Sequence, residues 1–407
     1  MKILFLFSGL PHYYNPVLNI LNSQPGLEVN VLIPTDNKTI AIGKGVYQTS
    51  EGIKFKVFQL EEYKTFTGKA FFKGLTQLLK KERPDVIVMG WPYIFSLVFN
   101  PWVILTFKKL NIKLVCRDIP FEVPPLNEWY SFYKNHTERT ENLQPRKSNK
   151  WIAIIKYWLL TKIRKYYYNL ADAHVNYTEQ AFDIIGSYGV EKKKIFITYN
   201  SPDTDELFAT KEKIKDLPPI MNENNQRLIH VGRLVKWKRV DLLINVIAVL
   251  KNKFPRIELV VIGTGPEKTE LENLAKSLKL ENNIKFIGGV YKAEELGQYL
   301  SASSIYILAG MGGLSINDAM CFGKPVICSV CDGTEKKLVR NNYNGFIFKE
   351  GDLDDLASKI DYLFSNPEKI TQMGLNSERI IKDEVNIHTV INGYVRAFEY
   401  IKEIHQK

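Results

Sequence analysis

Cysteine is scarce in this chain, with four in 407 residues, too few for a disulfide framework at that length. Cys328 and Cys331 are spaced as C-x-x-C, but no second Cys or His pair accompanies them. They read as a strand end and its turn, not as a zinc or redox site. The opening MKILFLFSGL lacks the length and the small-residue cleavage site of a signal peptide, and reads as a buried first strand. Low-complexity tracts and short repeats are lacking. The one long uncharged run, 22 residues from Val86 to Phe107, could span a bilayer by length. Gly90, Pro92, Asn100 and Pro101 interrupt it, so it reads as a strand (Val86–Met89), a loop and two short helical pieces. No recognised nucleic-acid-binding module accompanies the chain's positive charge, which argues against a nucleic-acid partner.

That charge is unevenly placed. The net value is +11, and residues 1–200 carry all of it, with 27 Lys and Arg against 16 Asp and Glu; residues 201–407 balance at 28 against 28. Residues 146–165 hold seven basic residues and no acidic one, interleaved with Trp151, Ile152, Ile154, Ile155, Trp158, Leu159 and Leu160. Such a segment fits an interfacial helix on an anionic membrane surface, and equally a core helix with a solvated basic face.

A chain of this length is expected to form two domains. Short apolar runs alternate with amphipathic stretches in both halves. Strands are predicted at Ile3–Phe7, Glu28–Ile33, Lys54–Gln59, Val86–Met89, Lys113–Cys116, Ala173–Asn176 and Ile195–Thr198. A second series is predicted at Arg227–Val231, Glu258–Ile262, Ile284–Ile287, Ser304–Leu308, Pro325–Cys328 and Gly345–Phe348. Strand–helix alternation occurring twice predicts an α/β chain with two doubly wound, Rossmann-like domains. The Pro-, Asn- and aromatic-rich residues 122–150 read as a long mobile loop, and 201–226, with Pro218 and Pro219, as an interdomain linker.

In a doubly wound domain, ligands bind beyond the carboxyl ends of the strands, at helix N-termini. In the second series, HVGRLVKWKRVDLLI places Arg233 and Lys238 just after a buried strand; Gly263 and Gly265 follow the next strand, Gly289 and Val290 the one after. Gly312, Gly313, Leu314 and Ser315 follow SIYILAGM and open a helix. Glycines permit close backbone approach, a helix start offers free N–H groups, and Arg and Lys supply counter-charge. The combination predicts a diphosphate site.

The stretches VGRLVKWKRVDLLI, VVIGTGP, NNIKFIGGV and GGLSINDAMCFGKPVICS, with NGFIF beyond, resemble in order and spacing the donor-binding half of family 4 retaining glycosyltransferases. YNSPDTDELF resembles that family's linker strand, and Gly9, Leu10 and His12 occupy the place of its substrate-facing first loop. The resemblance covers most of the chain and is strongest from about 200 to 348. It implies the GT-B fold: an acceptor-binding domain over 1–205, a nucleotide-sugar domain over 206–385 facing it across a cleft, and a last helix, 386–407, returning to the first domain. By position it implies that Arg233 and Lys238 grip the donor diphosphate and that Gly313, Leu314 and Ser315 offer it N–H groups. Asp318 would hold the ribose where the family has Glu, and the base would lie near Gly289 and Val290. His12 is a candidate substrate contact.

Two departures stand out. The first Glu of the family's E-x7-E is here Gly310, and its acceptor-side His-Asp pair reads Arg117–Asp118. The implied activity is a hexosyltransferase of bacterial surface-polysaccharide assembly, cytoplasmic or peripheral on the inner face of the cell membrane. It would use a UDP- or GDP-type sugar, a glycan or polyprenyl-linked acceptor, and no metal or other cofactor. A sugar-nucleotide epimerase of the same fold and a non-catalytic donor-binding protein remain open. Asp203–Asp205 reads as linker strand, not as a metal motif.

Overall fold

A computed structural model of the chain describes residues 1–36, 47–118, 123–135, 150–330 and 333–405. The chain forms two compact units; among the described residues the first comprises those up to Tyr199 and those from His388 on, the second Asn200–Ile387.

The first unit runs β1 (Lys2–Leu6), α1 (Asn15–Asn22), β2 (Glu28–Pro34), β3 (Lys56–Leu60), β4 (Glu62–Lys64), β5 (Ala70–Phe72), α2 (Leu75–Glu82), β6 (Val86–Met89), α3 (Tyr93–Leu97), α4 (Pro101–Leu110), β7 (Lys113–Asp118), α5 (Trp129–Asn135), α6 (Lys150–Leu170), β8 (Ala173–Asn176), α7 (Ala181–Ser187) and β9 (Ile195–Ile197). Its sheet has seven parallel strands in the order β3-β2-β1-β6-β7-β8-β9. The central strands KILFL and VIVM are almost wholly buried, as parallel strands covered on both faces must be.

The second unit runs α8 (Thr204–Lys213), β10 (Arg227–Val231), α9 (Val240–Leu250), β11 (Glu258–Ile262), α10 (Lys268–Ser277), β12 (Ile284–Gly288), α11 (Ala293–Ser301), β13 (Ile305–Leu308), α12 (Ser315–Cys321), β14 (Val326–Cys328), α13 (Glu335–Leu338), β15 (Gly345–Ile347), α14 (Leu353–Ser365) and α15 (Pro367–Asp383). Its six parallel strands lie in the order β12-β11-β10-β13-β14-β15. Two Rossmann-like domains, as in GT-B proteins, are thus present.

A last helix, α16 (Ile387–His405), packs on the first unit. Tyr394 and Phe398 are buried there; Phe398 meets Phe5 edge-on at 6.5 Å, and the Tyr394 and Tyr14 hydroxyls share a 2.6 Å hydrogen bond.

Several local expectations fail for identifiable reasons. Residues read as linker begin with α8, because Asp203 caps it by accepting from the Glu206 N–H at 3.1 Å, and Thr204, Leu207 and Thr210 are buried. This helix packs on α11 and α12 and moves the division of the chain to Asn200. Most of the loop expected over 122–150 lies outside the described residues, but 129–135 form α5, whose Tyr133 stacks on Tyr157 at 3.9 Å and 4°. The β4–β5 hairpin is absent from the sequence reading; three-residue strands carry too little periodicity to find. The 86–107 stretch forms β6, α3 and part of α4, and no helix among the described residues is long and apolar enough to cross a membrane.

A candidate diphosphate site at the strand ends of the second unit

The basic run after β10 sorts into two groups. Lys236 pairs with Glu267 at 3.1 Å and Glu270 at 3.5 Å, and Arg239 with Asp241 at 3.1 Å. Lys238 is different. It is only 7% exposed, and its Nζ donates to the Gly312 carbonyl at 2.5 Å, on the loop before α12. Half-buried Arg233 places its guanidinium 5.8 Å over the Trp237 ring. Arg233 and Lys238 therefore belong to one loop, and Lys238 reaches the next site segment directly.

The loops at these strand ends are held by backbone contacts that only glycine allows. A Cβ on Gly263 would lie 1.8 Å from the Gly232 carbonyl oxygen, and one on Gly265 would lie 2.2 Å from that of Leu234. The same loops exchange the Gly232 N–H to Ile262 O and Leu234 N–H to Thr264 O bonds, both 2.9 Å. These glycines fasten the arginine loop to β11's loop, a use distinct from approach to a phosphate. Gly263 also donates to Gly288 O at 2.7 Å, which brings in the loop of Gly289 and Val290. Tyr291, unnoticed in the sequence, lays its ring beside Gly289, 2.9 Å from where a Cβ would stand.

Gly310 explains itself in the same way. A Cβ there would meet the Trp237 carbonyl at 2.0 Å and the Lys238 carbonyl carbon at 2.7 Å, while the Met311 N–H donates to Trp237 O at 2.9 Å. The lysine loop occupies the space where the family's glutamate would begin.

Beyond it, Gly312, Gly313 and Leu314 lead into α12 at Ser315. The first N–H groups of a helix have no intrahelical partner, and those of Gly313, Leu314 and Ser315 lie there. The Ser315 hydroxyl shares a 2.7 Å hydrogen bond with Tyr306 on β13, a partner that periodicity could not reveal. Asp318 sits one turn along α12, and desolvation raises its carboxyl to about 7.

His230 on β10 is fully buried beneath Gly232, with Nδ1 donating to Ile307 O at 3.1 Å; burial and then the Lys238 charge depress its pKa to about 4.

The remaining predicted residues belong to the first unit. Gly9 is buried, and exposed His12 donates from Nδ1 to Tyr47 O at 3.2 Å, leaving Nε2 as the acceptor of the neutral ring. Arg117 is enclosed by aromatic rings: its guanidinium lies 4.8 Å from the Tyr14 ring centre and 5.1 Å from that of Tyr177. It also donates to the Tyr177 hydroxyl and, at 3.2 Å, to that of Tyr394. Arg117 thereby ties α16 to β7. Asp118 accepts from Tyr168 at 3.2 Å. Asp203 is the α8 cap already described. Cys328 is a buried free thiol, and Cys331 lies outside the described residues.

Two outcomes follow. Gly310→Ala has no room for its methyl group, so the lysine loop must shift; the variant is expected to lose several degrees of melting temperature. A Gly310→Glu change should be worse, not a restoration. The second concerns Asp318. Its folded-state pKa lies above its unfolded value near 3.9, so the stability it confers is full below about pH 4 and is lost as pH rises through 7. Asp318→Asn should therefore melt above the wild type at pH 8, and the advantage should shrink as pH falls toward 4. Melting curves of the ligand-free protein across that range test the sign.

Known proteins resemble this chain in sequence and fold. Residues 210–380 match the family described as glycosyl transferases group 1. An uncharacterized glycosyltransferase of Haemophilus influenzae is 27% identical over 369 residues, 88% of this chain and 90% of that protein. One from Methanocaldococcus jannaschii is 30% identical over 252 residues, 60% of this chain and 62% of that one. Among solved structures, the Anabaena HepE protein in complex with UDP superposes with a TM-score of 0.66 at 18% identity, covering 98% of this chain and 100% of that one. Over residues 210–380 the chain is thus similar to the glycosyl transferases group 1 family, and its fold is GT-B.

Proposed function

We propose that this protein transfers a hexose from a UDP- or GDP-type nucleotide sugar, with retention at the anomeric carbon, to a glycan or polyprenyl-linked acceptor in cell-surface polysaccharide assembly. The observation that carries the reading is the buried Lys238 ammonium, fixed on Gly312 at the entrance to α12, with Arg233 on the same loop. As the glycosidic bond breaks, negative charge grows on the departing diphosphate. A cation already fixed at that point, a second beside it and the free N–H groups of the α12 entrance stabilise that charge without reorganising. In this reading no metal is needed, because the chain's own cations serve. Asp318 receives the ribose hydroxyls, whose donation favours its ionised form over the neutral one that burial favours. A uridine base is supported by the UDP held by the Anabaena protein. Retention rests on the family 4 resemblance.

Gly310 favours one rival, a donor-binding protein without turnover, since the glutamate usually placed against the donor sugar has no room.

Charge-assisted hydrogen bonds to phosphate contribute roughly 1.5–3 kcal/mol each. Arg233→Ala and Lys238→Met should each weaken nucleotide-sugar binding by about tenfold to a hundredfold, with the circular dichroism spectrum unchanged. Transfer by the wild type should persist in EDTA. Wild-type affinity in both variants would refute the diphosphate assignment; binding without transfer or hydrolysis of any nucleotide sugar would favour the rival.

The acceptor class is supported by α6. Its inner face buries Tyr157, Thr161, Arg164 and Tyr168, and Trp151, Ile152, Ile155, Trp158 and Leu159 form an exposed apolar stripe flanked by Lys156, Lys162 and Lys165. Arg164 therefore leaves the set of membrane-facing cations expected from sequence: it is 6% exposed and its Nη1 donates to Tyr133 at 3.4 Å. Arg146 and Lys147 lie outside the described residues. Each remaining cation near an anionic surface contributes roughly 1 kcal/mol. The protein should sediment with anionic liposomes at low salt and release as salt rises. Replacing Lys156, Lys162 and Lys165 by Glu should abolish sedimentation and spare nucleotide binding. Equal sedimentation with neutral vesicles would return α6 to the role of a solvated core helix.

A further inference from the structure

Tyr306 stands in the middle of the second unit's sheet. On β13 it is paired with Ile229 of β10 on one side and with Val326 of β14 on the other, and its N–H donates to Pro325 O at 3.0 Å. Its side chain is fully buried. A ring in a close-packed core has no second place to turn to, so the position of its hydroxyl is fixed. That hydroxyl reaches two oxygens, Ser315 Oγ at 2.7 Å and the Val231 carbonyl at 3.4 Å.

The phenol has one proton to give. The Val231 contact is longer than an ordinary O–H···O bond of about 2.5–3.0 Å, and the Ser315 contact is not. A phenol is also a stronger proton donor than an alkyl hydroxyl. Tyr306 therefore donates to Ser315 Oγ, which leaves the serine its own proton. In the reverse direction the serine proton would point at Tyr306, and only lone pairs would face away from the sheet.

Gly313 sets where that proton can go. A Cβ on Gly313 would stand 3.4 Å from Lys238 Nζ and 4.0 Å from Ser315 Oγ. Among the described residues, no other atom beyond those of its chain neighbours lies within 4 Å of that point. An ammonium and a hydroxyl thus border one open space beside a residue without a side chain. An anionic oxygen placed there accepts from both.

We propose that Tyr306 is a positioning residue for the nucleotide diphosphate. By donating to Ser315 Oγ it aims the serine's proton past Gly313, at the same phosphate oxygen that Lys238 meets. Tyr306 itself touches no ligand. The inference rests on the diphosphate reading above and extends it from the placing of charge to the direction of one proton.

The test is a double-mutant cycle on the full chain, read as calorimetric binding of UDP and of GDP, with melting curves on the same samples. The wild type should bind one of the two. Ser315→Ala removes a hydrogen bond to a charged group and should weaken binding by about tenfold or more. Tyr306→Phe keeps the ring and loses only the oxygen that orients the serine; it should weaken binding by about threefold to tenfold. In the Ser315→Ala background the same change should alter affinity by less than about twofold, because no hydroxyl is left to aim. A merely structural tyrosine would lower the melting temperature and weaken binding equally in both backgrounds, and that equal loss overturns the inference. So does wild-type affinity in Ser315→Ala, whatever Tyr306→Phe does to the fold. Arg233→Ala separates the two readings. If it weakens nucleotide binding while Ser315→Ala and Tyr306→Phe do not, the diphosphate reading stands and this inference falls. If the wild type binds neither nucleotide, the diphosphate reading falls and takes this one with it.

Discussion

The second unit depends on backbone meeting backbone. Three loops from three strands stack directly, because Gly263, Gly265 and Gly310 present no side chain to Gly232, Leu234 and Trp237. This contact sets where Arg233 and Lys238 can be. Lysine is rarely buried unless its ammonium is bonded, and Lys238 can be buried only because the loop beneath it closes onto Gly312. The positive charge at the core's entrance is thus a product of glycine geometry as much as of the basic residues.

The same contact bears on Gly310. In the related pattern a glutamate stands at that position, and here a backbone carbonyl 2.0 Å from the Cβ site excludes any side chain. The substitution is therefore coupled to the lysine loop. A carboxylate on the donor side has been replaced by closer approach of a cation-bearing segment, which makes the local environment more positive than the family pattern. In the function proposed above, chemistry at such a site leans more on stabilising the departing diphosphate and less on contacts to the sugar.

The sequence made the doubled strand–helix alternation legible because parallel strands buried on both faces read as uninterrupted apolar runs. Val86–Met89 and Glu258–Ile262 were recovered to the residue. The basic run after β10 was legible as a cluster but not as roles: nothing in the spacing says that Lys236 and Arg239 turn to Glu267 and Asp241 while Lys238 turns inward. Arg164 was misjudged for a related reason. A helix of mixed Lys, Trp and Tyr has weak amphipathicity, so which cation lies on the inner face is decided by Tyr133, whose own helix arises from an aromatic cluster in a stretch rich in loop-forming residues. Arg117, read as an acceptor-side position, is surrounded by the rings of Phe7, just after β1, Tyr14, just before α1, Tyr177, just after β8, and Tyr394 on α16, which come from distant parts of the chain.

Charge placement connects these points. The second unit carries many ions, but its described ones are largely matched locally, as Arg227 is with Glu258 at 2.5 Å and Arg340 with Glu384 at 2.6 Å. Against that background the Lys238 ammonium is buried and bonded to the Gly312 carbonyl at the entrance to α12. On the first unit the excess is of another kind: lysines spread along the outer face of α6 among exposed tryptophans, hydrated and screened, suited to a diffuse surface and not to a point charge. In the function proposed above, two different anionic targets, one compact and one extended, account for both distributions within one net charge.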